Sequence, residues 1–275
     1  MTLALILAVG MFGLLIGSFL NVVTYRVPIG MSVVTPPSAC PHCATPISAR
    51  DNLPLLSWAL LRGVCRHCRT PISVRYPLVE AATGIAFAVA ALPFLPQVTT
   101  ARDPGAAISG ALELVAYLYL AAISVALAVI DLDVRRLPDA IVLPSYLVAA
   151  ALLVAVDVLS GDPAKLPLVV IGGAGSFLFY YLLRVAKPGG MGLGDVKLAG
   201  VLGLYLGQAG LAQLLVGTFA AFVLGGVAGV ALIVAGRSTR KSTIPFGPWM
   251  LGGAWIGILA GAPLAGTYLR LIGVA

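Results

Sequence analysis

From Leu3 to Val23 the chain carries no charged residue, and seven more apolar runs follow. Backbone N–H and C=O groups inside a bilayer have no water to bond, so a spanning segment must be a helix or part of a closed barrel. Runs of this length and uniformity read as helices. They fall at about residues 3–24, 77–96, 107–130, 139–159, 167–186, 195–209, 211–235 and 249–273. The sixth is short and glycine-rich. Charged residues make up only 10% of the chain and the mean hydropathy is +1.05, whereas soluble domains carry about 25% charged residues. The expected fold is an all-α polytopic membrane protein of about eight transmembrane helices. The first run has no basic flank before it and is long enough to span, so it is expected to stay as a membrane helix and not to be a cleaved signal peptide.

An even span count places both termini on one side. Of the 17 Lys and Arg residues, 14 fall in one set of loops (Arg26, Arg50, Arg62, Arg66, Arg69, Arg75, Arg135, Arg136, Arg184, Lys187, Lys197, Arg237, Arg240 and Lys241). The other set holds Arg102, Lys165 and Arg270. The positive-inside rule puts the richer set in the cytoplasm and both termini outside. The net charge of +7 is explained by these loops. It does not call for a nucleic-acid partner, and anionic lipid headgroups are its natural counterpart. Three segments result: a first helix at 1–24, a cytoplasmic loop domain at 25–76 and a membrane core at 77–275.

All four cysteines lie in that loop, in CPHCATPIS (40–48) and CRHCRTPIS (65–73). Two C-x-x-C knuckles in a short loop match a tetrathiolate zinc site, and a cytoplasmic setting disfavours disulfides. Cys40, Cys43, Cys65 and Cys68 are the expected ligands. Four thiolates fill a tetrahedral shell, so the role of the ion is structural. His42 and His67 sit inside the knuckles, either as alternative ligands or as surface rings beside them.

Ten acidic residues exist, and four fall at the cytoplasmic ends of spans: Asp131, Asp133 and Asp139 in VIDLDVRRLPDA, and Asp195 in MGLGDVKLAG. Carboxylates at membrane depth are costly and are functional candidates by default. Asp139 follows Pro138 and suits an N-cap of the fourth span. Asp133 stands beside Arg135 and Arg136, as in a surface ion pair. Asp195 also suits a helix start. Asp131 ends a helix, where the dipole disfavours an anion, so no local structural role accounts for it. Two carboxylates brought together share a proton, one acting as base toward water and the other as acid toward a carbonyl. The chain has no G-x-S-x-G, no H-E-x-x-H and no His outside the knuckles, so serine-histidine and zinc-peptidase machinery lacks its parts. Gly190, Gly192 and Gly194 form either an ordinary flexible turn or an open approach for an extended substrate backbone. Lys197 either tunes the carboxylates or marks the membrane boundary.

Taken together, these stretches resemble the bacterial type IV prepilin peptidases, aspartic peptidases of the GxGD type. GSFLNVVTYRVP (17–28), the two knuckles, RYPLVE (75–80), DLDVRRLPD (131–139), GLGDVKL (192–198) and PFGP (245–248) stand in the order of that family, over nearly the whole chain. The resemblance implies that prepilins or pseudopilins of type IV pili or type II secretion systems are the substrates. It implies cleavage after the glycine that ends their basic leader, at the cytoplasmic face of the inner membrane. Asp131 and Asp195 take the positions of the catalytic pair; Gly192, Gly194, Lys197, Asp133 and Asp139 belong to the supporting motifs. The cysteine loop implies the full-length, bifunctional kind, which also N-methylates the new terminus with S-adenosylmethionine. No glycine-rich cofactor fingerprint is visible; Glu80, between the loop and the membrane, is the expected neighbour of that cofactor. Two other readings fit parts of the chain. A transporter would place carboxylates near the bilayer midplane in two similar halves. A scaffold protein would dock partners through its zinc loop and would not need the aspartates.

Overall fold

The computed structural model describes residues 2–236 and 244–274. Arg237, Arg240 and Lys241, three of the residues that set the expected orientation, lie outside the described residues. Each apolar run is a helix. In chain order these are α1 (Thr2–Arg26), a short α2 (Leu56–Leu60), α3 (Arg75–Thr99), α4 (Pro104–Val134), α5 (Asp139–Ser160), α6 (Leu166–Ala186), α7 (Leu193–Ala209), α8 (Leu211–Val234) and α9 (Gly247–Leu271). Seven of them are long and apolar enough to cross a membrane, as expected of a multi-pass membrane protein. The exceptions are the five-residue α2 of the cysteine loop and α7, the short sixth run. Its 17 residues reach about 25 Å at 1.5 Å per residue, less than the roughly 30 Å of a hydrocarbon core.

The chain forms two compact units, Met1–Ala126 and Leu127–Ala275. In the first, α1 packs along α3. A Cβ at Gly17 would lie 2.7 Å from the Glu80 Cα, and one at Gly13 would lie 2.7 Å from the Phe87 Cβ. Only glycine permits this approach, the usual way helices associate where no hydrophobic drive exists between them. Phe94 of α3 stacks on Tyr117 of α4, with ring centroids 3.9 Å apart.

Between α1 and α3 lies the cysteine loop. Its two knuckles repeat one geometry. The Cys40 N–H donates to the Thr45 carbonyl and the Ala44 N–H to the Cys40 carbonyl; Cys65, Thr70 and Arg69 repeat this. Ala44 and Arg69 both take the left-handed conformation that closes the turn, with φ of 55° and 61°. The Trp58 indole N–H donates to the Ile72 carbonyl (3.1 Å). Arg66 Nε donates to both oxygens of Asp51 (3.1 and 3.0 Å), and this guanidinium holds the Asp51 carboxyl below its ordinary range.

In the second unit α7 is the axle. It packs on α5, α6, α8 and α9, and most of it from Val196 to Gln208 is buried. Its interface with α6 is backbone against backbone. A Cβ at Gly203 would overlap the Gly172 carbonyl, and one at Gly207 would overlap the Leu168 carbonyl. The α8–α9 pair is built the same way, around Gly253 and Gly257. Helix breaks follow local chemistry. Arg135 adopts a positive φ (52°) at the end of α4, and Gly161 (70°) closes α5.

Candidate active site

The end of α4 and the starts of α5, α7 and α9 meet at one end of the second unit, and all four acidic candidates are there. Asp131 is 4% exposed on the last turns of α4. Its Oδ2 accepts a hydrogen bond from the Gly247 N–H at 3.0 Å. Gly247 opens α9, so a carboxylate unsuited to the C-terminus of its own helix sits at the positive N-terminus of another. A Cβ at Gly247 would stand 2.8 Å from that same oxygen, which explains glycine at this position. The PFGP stretch is therefore part of the site. Sequence reasoning noted it without a role, because its partner is 116 residues away.

Asp195 lies in the first turn of α7. It is not the N-cap. Gly192 is, and its N–H donates to Asp195 Oδ2 at 3.0 Å. This is the returning half of a capping box, in which an N3 acid satisfies the cap's backbone donor. A Cβ at Gly192 would crowd the carboxylate at 3.2 Å. Gly194 faces Leu137 of the α4–α5 loop, whose Cβ would be 3.0 Å from an added methyl. Leu137 also reaches within 3.3 Å of a Cβ at Gly247. One buried leucine thus wedges the neighbours of both aspartates.

Asp139 does not cap α5, contrary to the sequence expectation. Pro138 holds the cap position, and the Asp139 carboxylate is bound by Lys197, whose Nζ is 2.8 Å from each oxygen. Tyr146 of α5 donates its hydroxyl to the Lys197 carbonyl at 2.6 Å. Lys197 therefore joins α5 to α7 beside Asp195. Asp133 is exposed on the last turn of α4.

In the first unit the ligand-capable atoms of Cys40, Cys43, Cys65 and Cys68 all lie within 4.8 Å of one another. A tetrahedral ion with bonds of about 2.3 Å sets sulfur separations of about 3.8 Å, and Cys40 and Cys68 are 3.7 Å apart. The Thr45 hydroxyl and amide favour the Cys43 thiolate, and the Thr70 hydroxyl and amide pull the Cys68 thiol down to about 5. The sulfur spacing and the four-cysteine donor set fit a metal ion. His42 and His67 are exposed and outside the cluster. Glu80 is buried, and its Oε2 accepts the Leu55 N–H at 2.8 Å. The Glu80 Cα packs against Gly17 of α1, and its carboxylate ties the loop to α3.

Comparison with known proteins agrees over the length of the chain. Residues 11–94 match the family described as Bacterial Peptidase A24 N-terminal domain, and residues 118–230 match the Type IV leader peptidase family. A prepilin leader peptidase/N-methyltransferase of Aeromonas hydrophila is 36% identical, over 94% of this chain and 92% of that protein. The protein of that name from Pectobacterium carotovorum is 34% identical over 92% of each. A type 4 prepilin-like proteins leader peptide-processing enzyme of Escherichia coli is 35% identical over 88% of this chain and 89% of its own length. No solved structure matches the chain significantly. With an aspartate at each of two helix N-termini, a four-thiol cluster and relatives that cover about nine-tenths of it, the chain belongs to the type IV leader peptidase family.

Proposed function

We propose that this protein cleaves the basic leaders of type IV prepilins or pseudopilins at the cytoplasmic face of the inner membrane, with Asp131 and Asp195 as the catalytic pair. The observation that carries this is that Leu137 lies against the glycine neighbours of both carboxylates, Gly247 and Gly194, and that among the described residues each carboxylate accepts one backbone N–H, from Gly247 and Gly192. Each keeps oxygen lone pairs for water and substrate. The pair holds one proton. The ionised carboxylate takes a proton from a water, whose oxygen attacks the scissile carbonyl carbon. The protonated carboxylic acid donates to the carbonyl oxygen, giving a neutral tetrahedral diol. Return of a proton to the amide nitrogen breaks the C–N bond and releases the leader carboxyl and the mature amine. Lys197 and Asp139 support the α7 start, and Gly192 and Gly194 leave room around it.

The four cysteines are proposed to hold a structural zinc, which supplies folding energy to the loop and takes no part in cleavage. The second activity in the relatives' names, N-methylation of the new terminus, is extended to this protein by the same kinship. The distribution of basic residues supports a reading with both termini outside, in which the short α7 counts as one of eight spans. The transporter reading requires carboxylates at mid-membrane, and the dyad sits at helix ends. Mass spectrometry of a basic-leader prepilin incubated with purified enzyme and S-adenosylmethionine tests the proposal. Cleavage after the leader glycine, with one methyl on the new amine, is expected. An uncut prepilin counts against the peptidase, and a cut but unmethylated product counts against the transferase.

A further inference from the structure

α7 carries Asp195 at one end and packs on α5, α6, α8 and α9. Against α6 it presents Gly203 and Gly207, which meet backbone carbonyls, and Gly200 makes room for the Tyr146 hydroxyl of α5. Such a surface allows close approach, and Leu204 seats against Gly173 of α6 as Leu206 does against Gly217 and Gly257. Directional polar contacts hold axial position and rotation as well, and α5 provides them at both ends. At the start of the helices lie Asp139–Lys197 and Tyr146–Lys197. At the far end, Gln208 Nε2 donates to Asp157 Oδ1 at 2.8 Å.

The far pair is unlike a surface contact. Asp157 is 0% exposed and Gln208 is 6% exposed. Asp157 Oδ2 and Gln208 Oε1 are buried with no hydrogen-bond partner among the described residues. The single Nε2–Oδ1 bond therefore carries the polar satisfaction of both side chains. A slide or rotation of α7 that broke it would leave a carboxylate unpaired in an apolar interior, which is strongly unfavourable.

We propose that Asp157 and Gln208 are a positioning pair: their buried hydrogen bond fixes the register of α7 on α5 and so places Asp195, about 20 Å along the helix at 1.5 Å per residue. This rests on the reading of Asp195 as catalytic. Neither residue reaches the substrate. The pair acts on the turnover step through geometry, as small misplacements remote from the chemistry can.

The test is steady-state cleavage of a prepilin by the purified full chain carrying Asp157→Asn, Asp157→Leu, Gln208→Met, Leu153→Ala or Asp195→Asn, with thermal unfolding of each. Leu153 is fully buried on the same helix α5 and serves as the packing control. Asp157→Leu and Gln208→Met are expected to lower kcat by about tenfold to a hundredfold, with KM within about twofold of wild type. Asp157→Asn keeps an acceptor for Gln208 and restores kcat to within a few-fold. Leu153→Ala lowers Tm and leaves kcat unchanged. If Asp157→Leu does not accumulate, Gln208→Met against Asp157→Asn decides. Wild-type kcat in Gln208→Met, or equal losses in Leu153→Ala at matched Tm, overturns the positioning role while an inactive Asp195→Asn leaves the dyad standing. An active Asp195→Asn overturns both.

Discussion

At the scale of single residues, the site is set by what each glycine leaves out. Gly247 lies at the first helical position of α9, where alanine is favoured by propensity, so Gly247→Ala is expected to leave thermal stability within about 1 kcal/mol. Its methyl would press on Asp131 Oδ2 and Leu137, and cleavage is predicted to fall by about tenfold or more. Cleavage and unfolding assays on the one variant separate the two effects; unchanged cleavage would mean that Asp131 tolerates displacement. Lys197→Met gives a related contrast. Partly exposed ion pairs contribute about 0–1 kcal/mol, so Tm is expected to move little. Release of Asp139 and of the α7 start should still slow turnover. Asp131 and Asp195 stand out in the sequence because a carboxylate beside an apolar run has few other uses. Their partners do not, since Gly247 and Leu137 reach them through tertiary structure. Asp139 was misread as a cap because Pro138–Asp139 has the local chemistry of a helix start and says nothing of a lysine on another helix.

At the scale of elements, eight apolar runs became eight long helices with ends within a few residues of expectation. Length and hydropathy suffice for that, because lipid leaves the backbone no other choice. The place of α7 was less legible. A helix apolar all round has no periodicity to show which side faces lipid and which faces protein. Its glycines, read from the sequence as signs of a weak span, are the contact surface with α6. Gly203→Ala should therefore destabilise by roughly 1–3 kcal/mol through overpacking, seen as a lower Tm; a neutral effect would mean that α6 and α7 can separate at no cost. The Asp157–Gln208 pair had a visible signal that went unused: a carboxylate inside an apolar run, and a glutamine at the end of another.

At the scale of the whole molecule, two chemistries are built on two units. The cysteine loop has little apolar core of its own, and its two matching knuckles supply four thiolate-capable ligands in one place. Removal of zinc by a chelator is expected to make residues 40–70 the first sites of proteolysis, mapped by mass spectrometry of the fragments; a loop equally resistant with and without chelator would contradict a structural ion. Asp131 and Asp195, proposed as the catalytic pair, lie within the second unit, on helix ends fixed by glycine packing and a few polar contacts. The most direct measurement is cleavage of a basic-leader prepilin by purified wild type, Asp131→Asn and Asp195→Asn, each shown to be folded by thermal unfolding. Wild type is expected to cut after the leader glycine, and both variants to lose several orders of magnitude in rate, since the two groups act as a unit. A folded variant of either kind that still cuts at a wild-type rate would contradict it.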